Sequence, residues 1–331
     1  MFQASLVWIF IGNAICGKTI LFKYCRCLLI LLINGVTMPV IHAIIITYNP
    51  DRDNVISLAA ALEKQVNHTW IIDNGSSIDI SQNFELVSNA SFVRLNENVG
   101  IAKAQNIAIE YGKKKGAEFF VFFDQDSVIG NDFVYGLYLS YAHLSQSRKI
   151  AAVGPVFEDS RFKFMYPQIK LNSIGIRKRI VPKHNTGPLA LSFIISSGML
   201  TSVAVLNDIG NMNEDLFIDY VDTEWCLRAI KCGYEIFADT GVCMQHSIGD
   251  NNIKFLVWKL PVHSPMRRYY RMRNMYYLFK MKHIPFIMKA REFITNTIHQ
   301  FLITLASKQK FSYFKFWIKS QRDGLVYFFS K

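Results

Sequence analysis

Phe119-Phe120-Val121-Phe122-Phe123-Asp124-Gln125-Asp126-Ser127 is the stretch that decides the fold. Its five leading apolar residues run without alternation, which predicts a strand buried on both faces. Two carboxylates follow at the carboxyl end of that strand, where ligands bind in open parallel sheets. Because neighbouring acids are costly without a cation, this end predicts a Mg²⁺ or Mn²⁺ site that also holds substrate phosphates. An exposed turn that caps the next helix is the alternative.

Composition limits the class of protein. The chain has 331 residues, of which 51% are hydrophobic, so it is long enough to bury a large core. The net charge of +12 favours polyanionic partners, which are nucleic acid, nucleotide phosphates or an anionic membrane. The cysteines form no CxxC pair, which argues against a zinc knuckle and favours a reducing cytosol. Nucleic acid is not expected as a partner, because no base-stacking motif accompanies the basic residues.

The first 37 residues differ from the rest. Their two apolar runs are too short to span a bilayer cleanly, so we expect an extension before a true start near Met38, or a short membrane anchor. The segment 12–19 matches the phosphate-loop pattern GxxxxGK[ST]. A P-loop NTPase is kept only as an alternative, since the polar clusters that follow would have no role in it.

From Met38 onward, strand and helix patterns alternate, which predicts a parallel sheet with helices on both faces. The predicted strands are 40–47, 69–72, 92–95, 119–123, 150–153, 234–237 and 242–244, and the predicted helices are 54–66, 101–113 and 222–232. We expect Gly154-Pro155 to stop one strand, and Asp222 or Thr223 to cap the last of these helices. Polar clusters follow the first four strands, and this is the geometry of a nucleotide pocket at one sheet edge. The first strand lacks a GxGxxG, which argues against a dinucleotide dehydrogenase.

After residue 255 the chain becomes basic and aromatic. Cationic and apolar residues interleave without a clean membrane span, as in the run 267–274. Helices of this composition typically lie on an anionic membrane surface. An ordinary solvated basic face is the alternative.

Five motifs in order resemble glycosyltransferase family 2. They are Thr47-Tyr48-Asn49, Asp73-Asn74-Gly75-Ser76, Asn98-x-Gly100 with Asn106, Asp124-Gln125-Asp126, and Asp222-x-Glu224 with Arg228. The resemblance covers residues 38–280 and implies an inverting, metal-dependent enzyme. The implied α/β fold is of the GT-A type, with a mostly parallel central sheet, helices on both faces and a basic, aromatic helical tail. Together with Tyr-Tyr-x-x-Arg-Asn at 269–274, the motifs are most similar to bacterial rhamnosyltransferases that build O-antigen or related surface polysaccharide from dTDP-L-rhamnose.

The resemblance also implies roles for individual residues. Inversion requires one displacement and one general base, and Asp222 takes that position. Asp126 and His246 would hold the metal ion, and Glu224 and Arg228 would contact the acceptor side or orient their helix. Ser197 and Gly198 would line the acceptor mouth. The expected nucleotide-sugar-binding residues are Thr47, Tyr48, Asn49, Asp73, Asn98, Gly100, Asn106, Asp124 and Gln125, although Asn-Gly and Asn-x-Gly also simply make turns.

Composition and the resemblance together predict four parts in the chain. Residues 1–37 are the extension, 38–150 the nucleotide-sugar-binding half, 151–255 the acceptor and catalytic half of the same domain, and 256–331 a membrane-associating region. The expected setting is peripheral, on the cytoplasmic face of the inner membrane, with a lipid-linked glycan as acceptor. A non-catalytic, membrane-attached scaffold that binds nucleotide-sugar is the competing hypothesis.

Overall fold

A computed structural model describes residues 38–81, 87–159, 164–246, 252–255, 258–261 and 263–330. The hydrophobic extension and the phosphate-loop match at 12–19 therefore lie outside the described residues. From Val40 onward the chain forms one compact unit.

Strands and helices alternate through the first half, and three long helices end the chain. The strands are Ile41–Thr47 (β1), His68–Asp73 (β2), Ala90–Arg94 (β3), Phe119–Asp124 (β4), Ile150–Asp159 (β5), Gln168–Leu171 (β6), Arg177–Ile180 (β7), Pro188–Leu191 (β8), Leu200–Ser202 (β9), Glu235–His246 (β10), Asn252–Phe255 (β11) and Trp258–Pro261 (β12). The helices are Arg52–Leu62 (α1), Ile101–Lys114 (α2), Phe133–Ser145 (α3), Val203–Ile209 (α4), Val221–Lys231 (α5), Pro265–Lys280 (α6), Phe286–Ala306 (α7) and Lys310–Phe329 (α8).

Eight strands form the central sheet in the order β3-β2-β1-β4-β9-β5-β10-β8. The first four are mutually parallel, as are β5 and β10. β9 runs antiparallel to both of its neighbours, and β8 runs antiparallel to β10. The carboxyl ends of β1, β2, β3, β4, β5 and β10 therefore meet at one edge, together with the segment that leads into β9. The predicted mostly parallel α/β sheet is confirmed.

The uninterrupted apolar run of β4 serves two cores at once. Phe120 and Phe122 enter a core that includes residues of α2 and α5, whereas Val121 and Phe123 enter one that includes residues of α1 and α3. Successive strand residues point to opposite faces, so a strand without alternation needs helices on both sides. The aromatic run thus fixes β4 in the middle of the layered fold.

Two strand predictions for the second half are wrong. β5 continues through Gly154 and Pro155, and one long β10 replaces the two short strands expected at 234–237 and 242–244. The register of β10 against β5 shifts between Asp239, which faces Pro155, and Cys243. A bulge of this kind accommodates a proline that cannot donate to the ladder. Neither strand therefore has to end there.

The predicted helical tail is confirmed in α6, α7 and α8. Within the described part of the chain, no helix is both long and apolar enough to cross a membrane.

Candidate active site

Asp73, at the end of β2, is completely buried and anchors the first two loops of the sheet edge. Its carboxylate accepts hydrogen bonds from Thr47 Oγ1 at 3.2 Å, from the Ser76 hydroxyl and from the Ser76 backbone N–H. Arg94 Nε lies 3.6 Å from the same carboxylate. Because the carboxylate is completely buried among these partners, a direct contact between Asp73 and a nucleotide base would require a neighbouring group to move.

A cleft of about 350 Å³ opens beside this anchor. Its lining comes from the loop after β2 and the end of β3, and consists of Gly75, Ser76, Arg94, Leu95 and Asn96. Arg94 is a residue that the sequence motifs did not single out. It donates to the Ser76 carbonyl at 2.9 Å and pairs with Asp79 at 2.9 Å, so these contacts hold its side chain in the wall of the cleft.

The loops that follow β1 and β4 are tied to the same edge. Gln125 Oε1 accepts a hydrogen bond from the Tyr48 backbone N–H at 2.8 Å. Asn49, whose φ is 46°, accepts from the Ser77 N–H and donates its own N–H to Ser76 Oγ. These predicted site residues are therefore brought together, and the exposed Tyr48 ring is left facing outward.

Asn98 and Gly100 shape the start of α2. Asn98 Oδ1 accepts from the Gly100 N–H at 3.0 Å, and Gly100 has a φ of 87°. A Cβ at Gly100 would lie 2.6 Å from the Phe217 ring. The Phe217 carbonyl also accepts from the Ile101 N–H at 2.7 Å, so only glycine fits where the two halves of the domain meet.

Asn106 links the two halves rather than facing the cleft. Its amide exchanges two hydrogen bonds with the Met212 backbone, each 3.0 Å long, and also donates to Glu214 at 2.8 Å. Both polar atoms of the amide are thus engaged inside the protein. Nothing in this arrangement supports the predicted contact of Asn106 with nucleotide-sugar.

The segment 196–198 brings Asp124 and Asp222 to one place. The Gly198 N–H donates to the Phe122 carbonyl, and Ser197 Oγ accepts from the Asp124 N–H at 3.4 Å. The neighbouring Ser196 N–H donates to Asp222 Oδ2 at 3.3 Å. Asp222, on the second-half helix α5, is therefore held at the same sheet edge as the carboxylates that follow β4.

The surroundings of the Asp222 carboxyl group favour its protonated form. Burial raises the pKa of Asp222, the N–H groups of Thr223 and Ser196 offset part of that rise, and the charge of Asp219 adds to it. The Thr223 N–H lies 2.7 Å from Asp222 Oδ1. Asp222 is the second residue of α5, and its backbone is not the N-cap, so the predicted cap was wrong. A base with a raised pKa binds a proton more readily at the operating pH.

The carboxylates at the end of β4 suit a divalent cation that arrives with phosphates. Asp124 is half-buried at the strand end, and Asp126 is exposed two residues later. The residues that the structure describes contain no cluster of three or more His, Cys, Asp or Glu able to enclose a metal ion. Mg²⁺ is commonly held by one or two carboxylates plus substrate phosphates, so the donor set fits it. His246 ends β10, and its side chain lies outside the described residues.

Glu224 and Arg228 face the interior rather than an acceptor. Arg228 Nε lies 2.9 Å from Glu224 Oε1, and the same guanidinium donates to the carbonyls of Ile209 and Asn211. His283 Nε2 approaches Glu224 at 2.8 Å. Burial alone would raise the pKa of Glu224, but the neighbouring His283 and Arg228 side chains outweigh it and lower that pKa. Of the two predicted roles, the contacts support orientation of the helix and not contact with the acceptor.

A strained loop before Asp222 is the main feature that the motifs missed. Phe217, Asp219 and Tyr220 have φ values of 63°, 63° and 66°, a conformation that non-glycine residues rarely adopt. Asn274 of α6 donates from its amide to the carbonyls of Leu216 at 2.7 Å and of Ile218 at 2.9 Å. Such strain persists only where the surroundings over-determine it, and α6 supplies those surroundings.

Cations of α6 complete the support of this loop. Arg267 and Arg271 lie 3.2 Å and 3.5 Å from Asp219 Oδ1. The Tyr220 hydroxyl donates to Glu292 of α7 at 3.0 Å and accepts from the Asn296 amide at 2.9 Å. The sequence signal for this support was the run Tyr-Tyr-x-x-Arg-Asn at 269–274, whose Asn274 was quoted for the resemblance but given no role.

The chain matches known proteins in sequence. The sequence model described as glycosyl transferase family 2 matches residues 42–210. A dTDP-rhamnosyl transferase of Shigella flexneri, RfbF, is 39% identical over 285 residues, which is 86% of this chain and 95% of that protein.

Solved structures share the fold at low identity. A crystal structure of GalNAc-T7 with UDP, GalNAc and Mn²⁺ superposes with a TM-score of 0.55 at 12% identity. It covers 81% of this chain, which in turn spans only 56% of that structure. Residues 1–349 of S. aureus TarS give a TM-score of 0.49 at 18% identity, over 87% of this chain and 80% of that one. The GalNAc-T7 superposition is evidence for the GT-A fold.

Proposed function

This chain belongs to glycosyltransferase family 2 and is a glycosyltransferase, and on that premise we propose that it transfers L-rhamnose from dTDP-L-rhamnose, with inversion, to a lipid-linked glycan. The observation that carries the proposal is the attachment of both Asp124 and Asp222 to the segment 196–198. The shared attachment supports a role for Asp222 as the base at the same sheet edge as the carboxylates expected to face a sugar diphosphate.

The choice of donor rests on the Shigella flexneri relative. RfbF is named a dTDP-rhamnosyl transferase, and it aligns with this chain over 95% of its own length. The nucleoside would occupy the cleft beside Asp73, whose wall includes Arg94. The loops after β1, β2 and β4 would then contact the donor along its length, from the nucleoside to the diphosphate.

The chemistry is one displacement at the anomeric carbon. Asp222 takes the proton of the acceptor hydroxyl, the new C–O bond forms on the face opposite the leaving group, and dTDP departs with the electrons of the old bond. Ser196 and Thr223 hold Asp222 through their backbone N–H groups, which leaves the carboxylate oriented before the acceptor arrives.

Asp124 and Asp126 are the residues that would hold a divalent cation, and His246 remains a proposed further ligand. When bound, such a cation neutralises the negative charge that develops on the departing diphosphate. Gln125 lies between the two acids, and its bond to the Tyr48 N–H fixes the turn that presents them.

We place the enzyme peripherally on the cytoplasmic face of the inner membrane, where it would extend an O-antigen or related surface polysaccharide. The net charge of +12 supports this setting, since an anionic leaflet attracts basic proteins.

The test is ligand-dependent thermal stability followed by transfer. We expect dTDP-L-rhamnose with Mn²⁺ to raise the melting temperature more than UDP-glucose does, because a ligand that binds only the folded state stabilises it. The protein should then transfer rhamnose to a lipid-linked acceptor and release dTDP. Equal indifference to every sugar nucleotide would overturn the proposal.

A further inference from the structure

Helix α7 is amphipathic in the reverse of the usual sense. Its polar residues Lys289, Glu292, Asn296 and Gln300 are only 1–7% exposed. Its apolar residues Ile287, Ile294, Ile298, Phe301 and Leu305 are 39–57% exposed. At 100° per residue these sets fall on opposite sides of the helix. A surface helix normally turns its apolar stripe to the core. The outer stripe of α7 is instead an exposed apolar patch, and such patches mark sites of contact with a membrane or another protein.

The buried polar face of α7 has a clear reason. Glu292 and Asn296 bond to the Tyr220 hydroxyl, and Gln300 accepts from Arg268 Nε at 2.8 Å. Lys289 donates to the carbonyl of Met281 near the end of α6. The strained loop and α6 thus use the polar side of α7, but none of these contacts explains its apolar outer side.

Helix α8 carries a second stripe of the same kind. Phe311, Phe314, Ile318, Leu325 and Phe329 are exposed, while Tyr313, Ser320 and Gly324 face inward. The inner side packs on α6, where the Tyr269 hydroxyl donates to Asp323 at 2.7 Å and the Tyr327 ring stacks on Tyr277. The spacing of the exposed set again keeps it on one side of the helix.

Cations border these stripes and acids do not. Lys308, Lys310, Lys315 and Lys319 are exposed on α8 or the turn before it. The acids of the two helices, Glu292 and Asp323, bond inward to Tyr220 and Tyr269, and each is also paired with a neighbouring arginine, Arg291 or Arg322. The outer surface of α7 and α8 therefore combines apolar area with positive charge.

We propose that the outer faces of α7 and α8 form the surface by which this protein docks on an anionic lipid bilayer, with the phenylalanines entering the interface and the lysines meeting headgroup phosphates. The inference rests on the proposed lipid-linked acceptor and names the docking surface for it. Amphipathic helices that lie in the interface have this combination of features. A second copy of the chain fits less well, because self-association would oppose like charges.

The experiment measures sedimentation of the full-length protein with vesicles, without any sugar nucleotide. We expect strong partition to vesicles of phosphatidylcholine with phosphatidylglycerol, weaker partition to phosphatidylcholine alone, and release by salt. Changing Phe311, Phe314 and Ile318 together to Gln should lower partition by about a hundredfold or more, since each loses its insertion into the bilayer. These side chains are already exposed, so the folded protein should keep its melting temperature.

Two further variants separate the contributions. Lys308→Gln with Lys315→Gln should weaken binding to the anionic vesicles by about fivefold per charge and leave binding to phosphatidylcholine unchanged. A matched control changes the exposed residues Met38, Ile78 and Ile230 to Gln, on other parts of the chain, and should not alter partition.

Partition of the triple Phe311, Phe314 and Ile318 variant equal to that of the unmodified protein would overturn the docking surface. So would a stable dimer, by light scattering, that the same triple variant dissociates. Neither result would touch the glycosyltransferase assignment, because stabilisation by dTDP-L-rhamnose is measured separately and without lipid.

Discussion

Helices α6 and α8 share a basic, aromatic composition, but their cations point in opposite directions. Both interleave Lys or Arg with aromatic residues, and both were expected to face a membrane. In α6, Arg268 and Arg271 turn inward to Gln300, Asn296 and Asp219. In α8, the cations stay on the outside. The comparison indicates that the positions of nearby hydrogen-bond acceptors and carboxylates, and not the number of cations in a helix, decide whether those cations point inward or toward solvent.

The inward cations remain charged despite their surroundings. Burial lowers the pKa of Arg268 to about 10, which still leaves it protonated at neutral pH. A buried charge is tolerated only when hydrogen bonds replace its water, and Gln300 and the Asn296 carbonyl supply them here. α6 therefore packs its cationic side against the loop that leads into Asp222.

The largest expected effect is on catalysis and comes from replacing Asp222, which follows the loop that α6 supports. Asp222→Asn removes the proposed base but keeps its shape, so kcat should fall about 10²–10⁴-fold. The melting temperature should change little, because the oxygen of the introduced amide can still accept a hydrogen bond from the backbone of Ser196 or Thr223. Steady-state transfer kinetics and calorimetry measure the two quantities. An active Asn variant would remove Asp222 as the base.

The next effect contrasts an inner ion pair with an outer one. Arg228→Gln leaves Glu224 buried with fewer partners, which should destabilise the fold by about 3–5 kcal/mol. Arg322→Gln, which breaks the exposed pair with Asp323 on α8, should cost less than about 1 kcal/mol. Urea unfolding of both variants gives the comparison.

Lowering the pH should reduce the destabilisation caused by Arg228→Gln. The pKa of Glu224 is lowered in the folded protein, so its pair stabilises the fold above the ordinary Glu range and stops doing so as pH falls through the folded pKa. The penalty of Arg228→Gln should therefore shrink on acidification. A penalty independent of pH would mean that the pair is not its source.

A smaller effect should come from Asn274, which has no counterpart on α8. Asn274→Ala withdraws the donors from the carbonyls of Leu216 and Ile218, which should cost about 1–3 kcal/mol and relax the strained loop. We expect kcat to fall about tenfold or more, with little change in KM for the donor. Lys315→Gln on α8 is the matched control and should leave kcat with a soluble acceptor unchanged. Equal kcat in both variants would contradict a positioning role for α6.

The smallest effect is a shift in pH dependence. Asp219 raises the pKa of Asp222, and Arg271 lies beside Asp219. Arg271→Gln should therefore leave Asp219 less compensated and move the acidic limb of kcat/KM upward by about half a pH unit. Activity at low pH falls and activity at high pH is retained. A downward shift, or the same shift in Lys315→Gln, would contradict this electrostatic link.

The sequence patterns predicted those features of the fold that depend on short segments of the chain. The unbroken apolar runs of β1 and β4 require a doubly covered sheet, and polar residues at strand ends must then share one edge. The layered fold and the position of Asp73 and Asp124 at one sheet edge follow from these facts.

The features that sequence reasoning missed depend on contacts between distant segments. Pro155 remains in a strand only because a bulge in β10 accompanies it. Asn106 carries the residue type of a binding site, yet its partners Met212 and Glu214 are distant in sequence and engage both ends of its amide. The inward side of α6 is likewise set by the strained loop, whose backbone angles no composition reveals.

The reversed polarity of α7 has a practical consequence for handling this enzyme. Its apolar exterior invites shortening of the chain to improve expression, yet the same helix gives Tyr220 its hydrogen bonds through Glu292 and Asn296. Deleting it would remove both of these hydrogen bonds from the loop that leads into Asp222. Replacing Ile294, Ile298 and Phe301 with polar residues reduces the exposed apolar area and leaves those hydrogen bonds in place.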